Sequence, residues 1–116
     1  MVAAHAGSVS YEQDTILRLA RQLAGLVARL LRLGKAGATP QALEELEQAY
    51  GDLFGVPPGL METMTPEDLA RFLRGSGRVD LAVTLMETEV TLLEQAGRGR
   101  EAEWKRDRLA RLRAAS

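Results

Sequence analysis

Glu89, Lys105 and Arg106 are the residues whose types and placement come nearest to a charged site in this sequence. Glu89 falls inside a run of apolar residues at helical spacing, between Leu85, Met86 and Leu93. A carboxylate on such a face needs a partner, because an unpaired buried charge is costly. Arg106, or Lys105 beside it, is the natural cation on the following helix. The same spacing also lets Glu89 stand at the edge of the apolar arc and reach water.

Other chemistry finds less support. The chain has no cysteine, so it has no disulfide, no thiolate nucleophile and no Cys zinc site. His5 is the single histidine, and no ligand or base partner lies near it. Glu44, Glu45 and Glu47 read as a solvated face that supports a helix dipole. A di-metal carboxylate site would need a Glu-x-x-His pair, which the sequence lacks. GRGRE at 97–101 has no lysine and no preceding strand, so it is not a phosphate loop. The reading is a chain with no catalytic residues, no metal and no cofactor.

Binding surfaces are easier to find. Arg18, Arg21, Arg29 and Arg32 form a stripe that could hold anions, with Arg108, Arg111 and Arg113 adding to it from the last helix. Yet the net charge is −1, whereas a nucleic-acid domain usually carries a strong basic excess. Trp104 points away from Ala102 and Leu109, so it either marks an interface or packs on the loop at 55–64. Tyr11 and Asp14 could belong to a partner site. The simpler reading has Tyr11 covering the core end and Asp14 pairing with Arg18 at i,i+4.

These residues must be positioned by helices. The longest apolar segment is 11–33, opened by Ser10 with Gln13 three residues later as a capping-box pattern. Its apolar arc is roughly 220° wide, against about 100° for an ordinary surface helix, so it needs covering on two sides. Four arginines interrupt it, which excludes a membrane span. A second helix is predicted at about 40–54, with Thr39 as cap and Pro40 at the first position. One turn is predicted around 60–63, then helices at about 66–74, 78–96 and 100–114. Thr65 caps the helix at 66–74, and Leu69, Phe72 and Leu73 form its core face. No segment alternates with period two, so no sheet is expected. Residues 1–9 read as a disordered leader, and 10–116 as a single all-helical domain. Nothing resembles a signal peptide, which together with the absence of cysteine points to the cytoplasm.

Charge divides the chain in three. Residues 1–35 carry +3, residues 36–97 carry −8, and residues 98–116 carry +4. The first and last helices are therefore expected to lie against an acidic middle.

A shift of 60 residues aligns the two halves. Leu33, Ala36, Gly37 and Ala42 fall on Leu93, Ala96, Gly97 and Ala102. Each half is a long helix, a glycine turn and a second helix with a small residue near its start. That is the logic of tetratricopeptide-type (TPR) repeats, with a short inserted helix breaking their period of about 34. The alternative is an irregular five-helix bundle. The chain also resembles a family of small uncharacterised bacterial proteins. The residues that carry this are Tyr11-Glu12-Gln13-Asp14 with Ile16, Leu17, Arg18 and Gln22-Leu23, then Ala42-Leu43 with Tyr50. The Thr65–Leu69 helix start and Glu94–Arg98 complete the set. The resemblance implies a TPR-like helical fold and implies no activity.

The resulting expectation is an all-α, TPR-like interaction or scaffold module. The alternative is a nucleic-acid-associated regulator working through the arginine stripe. A protein partner is expected, its identity open, and no membrane. A homodimer is expected too, formed through patches containing Leu17, Leu31, Leu81, Leu85, Leu92 and Trp104.

Overall fold

The computed structural model describes the backbone of residues 2–116 and the side chains of residues 14–116 apart from residue 58. It contains six helices: α1 (Val2–Lys35), α2 (Thr39–Phe54), α3 (Pro58–Thr63), α4 (Pro66–Ser76), α5 (Val79–Gln95) and α6 (Gly99–Ala115). Among the described residues there is no strand, so the all-α class is observed. The sixth helix is α3, expected only as a single turn. Helix α1 begins at Val2, so helical backbone runs through the segment assigned to a leader, and Ser10 lies inside the helix. The side chains of His5 and Tyr11 lie outside the described residues.

Three of the turns are the same turn. After α1, α4 and α5 the chain enters the left-handed region at Gly37 (φ 84°), Gly77 (φ 69°) and Gly97 (φ 75°). The N–H groups of Ala38, Arg78 and Arg98 donate to the carbonyls of Leu33, Leu73 and Leu93, at 2.8, 3.1 and 2.9 Å. Each glycine N–H donates three residues back at 3.1 Å. This pair of bonds is the Schellman motif, which satisfies the last carbonyls of a helix and favours glycine at the left-handed position. Five residues after each glycine stands an alanine, Ala42, Ala82 or Ala102, and all three are buried. The small side chain lets the two helices of each turn approach closely. The 60-residue shift finds the first and third of these turns; the middle one repeats the same Leu-x3-Gly-x4-Ala spacing. The turn also moves the start of α2. Its N-cap is Ala38 without a side-chain bond, and Thr39 is the first helical residue and buried. Thr65, by contrast, caps α4 as expected, its Oγ1 accepting from the Asp68 N–H at 3.1 Å.

Helix α5 is the hub. It packs against α1, α2, α4 and α6, while α1 packs chiefly against α2 and α5 among the described residues. Leu30, Leu46, Leu73, Leu85, Leu92 and Leu112 are the largest fully enclosed side chains. This corrects the expected interface patch on α5. Leu81, Leu85 and Leu92 are core residues, because four helices surround α5. Phe72 is exposed in place of Ala70, since α4 presents Leu69, Ala70 and Leu73 to α5 and α6.

The acidic groove between α2 and α6

The buried face of α6 reads Ala102, Lys105, Leu109, Leu112. Their spacing of three, four and three residues is a helical seam, and a lysine occupies one place in it. Lys105 is therefore held against the body of the protein, with its side chain 11% exposed. Its Nζ lies 2.7 Å from Glu62 Oε1 of α3 and 3.3 Å from Glu89 Oε1 of α5. Tyr50 of α2 donates its hydroxyl to the same Glu89 oxygen at 2.9 Å. One ammonium thus ties α6 to α3 and α5, and one hydroxyl ties α5 to α2.

Glu89 is accordingly a largely enclosed carboxylate, its side chain 13% exposed, and it is paired. Its cation is Lys105 rather than Arg106. One residue further along α6 turns Arg106 out of the seam, and it pairs with Glu94 at the surface. Burial pushes the Tyr50 hydroxyl well above the usual tyrosine range, and the nearby Glu89 carboxylate adds to the effect. Tyr50 therefore stays a neutral donor. Arg108 completes the arrangement, donating to the carbonyls of Met61 and Met64, both at 3.1 Å. It holds the C-terminal end of α3 against α6. The cleft at this cluster leaves about 30 Å³, room for about one water molecule.

Outside the cluster the surface opens into a groove of about 670 Å³. Pro40, Leu43, Glu44 and Glu47 of α2 form one wall, and Arg98, Arg100, Glu101 and Trp104 line the other, with Leu93 of α5 between them. Five carboxylates and three cations line it. Arg98 is already paired with Glu101, and that pairing holds the Glu101 carboxyl below its ordinary range. Glu44 and Glu47 have no ion pair among the described residues, so the groove presents negative charge over an apolar base. Trp104 stands half exposed at its edge, 5.6 Å from Lys105 Nζ and 5.1 Å from the Arg108 guanidinium measured to the ring centroid. Both contacts are within cation–π range and fix the indole in place.

The arginine stripe lies on α1, outside this groove. Arg29 is drawn out of it by Glu45 of α2 at 2.9 Å. Arg18, Arg21 and Arg32 are exposed and have no ion pair among the described residues, and Asp14 does not pair with Arg18. Leu17, at 54% exposure, stands beside them, with Leu31 half-buried. The spacing that singles out Glu89 and Trp104 leads to the cluster and to the edge of the groove, while the stripe lies apart on α1. Sequence reasoning misses Glu62, Tyr50 and Glu44 as neighbours, since only the packing of α2 and α3 on α5 and α6 brings them together.

Among the described residues no group of three or more His, Cys, Asp or Glu side chains is placed to hold a metal ion. No described helix is long and apolar enough to cross a membrane. No family model, no curated protein and no solved structure matches the chain.

Proposed function

We propose that this chain is a TPR-like protein-interaction module, working in the cytoplasm, whose groove between α2 and α6 takes a basic amphipathic helix of a protein partner. The observation that carries this reading is the groove itself: an apolar base of Leu43 and Leu93, an exposed tryptophan at its edge, and an excess of carboxylates around it. Exposed tryptophan beside an apolar recess is a frequent energetic centre of interfaces. Carboxylates at the rim favour cationic partners and speed their encounter. The hub position of α5, which touches both helices of the first hairpin, supports the TPR-like description. The bacterial family resemblance rests on the residues quoted for it above.

Calorimetric titration with a synthetic helix of leucine and arginine at helical spacing tests the reading. Binding is expected, and Trp104→Ala or the pair Glu44→Gln and Glu47→Gln should each weaken it. Equal binding by all three proteins would refute the groove as the site. A second reading, nucleic-acid binding, is favoured by Arg18, Arg21 and Arg32 sharing one α1 face without carboxylate partners. That reading requires a salt-dependent shift of RNA or DNA that Arg18→Glu abolishes.

A further inference from the structure

We infer that the helix filling the groove is α1 of a second copy of this chain, in a head-to-tail contact that rests on the groove reading above. The outer face of α1 has the properties the groove requires. Leu17, Ala24, Ala28 and Leu31 follow one another along it at intervals of seven, four and three residues, an apolar strip about 21 Å long at 1.5 Å per residue. Arg18 and Arg21 stand beside that strip, exposed and without ion pairs among the described residues. The two helices that pack on α1, α2 and α5, cover its opposite side.

Charge chooses the partner face. Two copies meeting α1 to α1 would set arginines against arginines, and like charges juxtaposed across an interface oppose it. The groove carries the complementary sign, and its two unpaired carboxylates, Glu44 and Glu47, lie on its α2 wall. The chain is nearly neutral overall at −1, with its charge separated between these two faces. A contact that joins them neutralises both. Because the two faces differ, the contact is heterologous. It closes as a ring where the rotation permits, and otherwise continues as a chain of molecules.

The test uses the full chain and two variants reversed at exposed positions, Arg18→Glu with Arg21→Glu, and Glu44→Arg with Glu47→Arg. Sedimentation velocity at high micromolar concentration and low salt should give wild type a mass at least twice that of one chain. Salt at about 1 M, where the screening length is about 3 Å, should dissociate it. Each variant alone should self-associate about tenfold more weakly or worse, with circular dichroism unchanged, and an equal mixture of the two should recover association. An α1-to-α1 dimer gives a different pattern: the glutamate reversal, which lies outside that contact, leaves association unchanged. Either that pattern or a mixture that stays monomeric overturns the inference. A wild type that remains monomeric while still binding the cationic helix overturns the self-docking and leaves the groove reading standing. A wild type that does neither removes both.

Discussion

The α1–α2 and α5–α6 hairpins close through the same Schellman turn and the same buried alanine, yet their long helices meet different surroundings. Helix α5 is enclosed by α1, α2, α4 and α6, and Leu85 and Leu92 see no solvent. Helix α1 also has a wide apolar arc but packs chiefly on two helices among the described residues, and Leu17 is more than half exposed. Local sequence decides how a hairpin turns. The inserted helix α4 adds to the covering of the α5–α6 hairpin, on which it lies. The uncovered side of α1 and the groove beside α6 are two surfaces open to partners.

The largest effect should come from truncating the enclosed helix. Leu85→Ala or Leu92→Ala should cost about 2–5 kcal/mol through lost burial and a residual cavity. Leu17→Ala should stay within about 0.5 kcal/mol. Urea denaturation of the three variants checks this, and a Leu17 cost matching that of Leu85 would mean α1 is covered as fully as α5.

Next comes the ion cluster. Lys105→Met leaves Glu89 and Glu62 without their shared cation and should cost about 3 kcal/mol, the low end for a buried pair because Glu62 is half exposed. Arg106→Met removes only a surface pair with Glu94 and should cost less than about 1 kcal/mol. Equal costs would show that Arg106, not Lys105, supports the fold.

Two glycines of α1 sharpen the contrast within one helix. Gly34 sits where α1 lies against α5, and a methyl group there would meet Leu92 Cδ2 at 2.9 Å and would overlap the Gln95 side-chain oxygen. Gln95 can swing aside but the enclosed Leu92 cannot, so Gly34→Ala should destabilise by about 1–2 kcal/mol. Gly25 has nothing within 4 Å, and Gly25→Ala should stabilise by about 0.5–1 kcal/mol. Thermal melts of the two variants should move in opposite directions; a shared direction would contradict the close approach at Gly34.

The smallest effect is a pH dependence peculiar to the link between α2 and α5. Tyr50 ionises well above its ordinary value in the folded protein, through burial first and the Glu89 carboxylate second. The unfolded chain loses that proton near pH 10. Stability from this group is therefore complete below about pH 10 and is lost as pH rises further. Tyr50→Phe should cost about 1 kcal/mol at neutral pH for the lost hydrogen bond and should show a shallower alkaline loss. An unchanged alkaline slope would exclude Tyr50 as its source.

Much of this was legible in the residues. The Leu-x3-Gly-x4-Ala spacing marks the turns, and Thr65-Pro66 marks the start of α4. Glu89 stands out because a carboxylate interrupts an apolar arc. What stayed hidden depended on neighbours distant in sequence. Nothing local tells Leu85 of α5 from Leu17 of α1, since both sit in wide apolar arcs and only the packing of distant helices separates their fates. The seam of Ala102, Lys105, Leu109 and Leu112 was present as spacing, but a charged residue at one of its places disguised it. The Ser10 capping pattern, locally sound, was overridden by a helix that starts at Val2.

The central claim is that the groove between α2 and α6 receives a basic helix. Backbone amide and indole chemical shifts, followed by NMR while the leucine–arginine helix is added to the full chain, test it most directly. Shifts are expected to concentrate at Leu43, Glu44, Glu47, Leu93 and Trp104, including the indole N–H, and to be absent from the fully enclosed Leu30 and Leu112. Shifts confined to other surfaces, or none at saturating peptide, would contradict it.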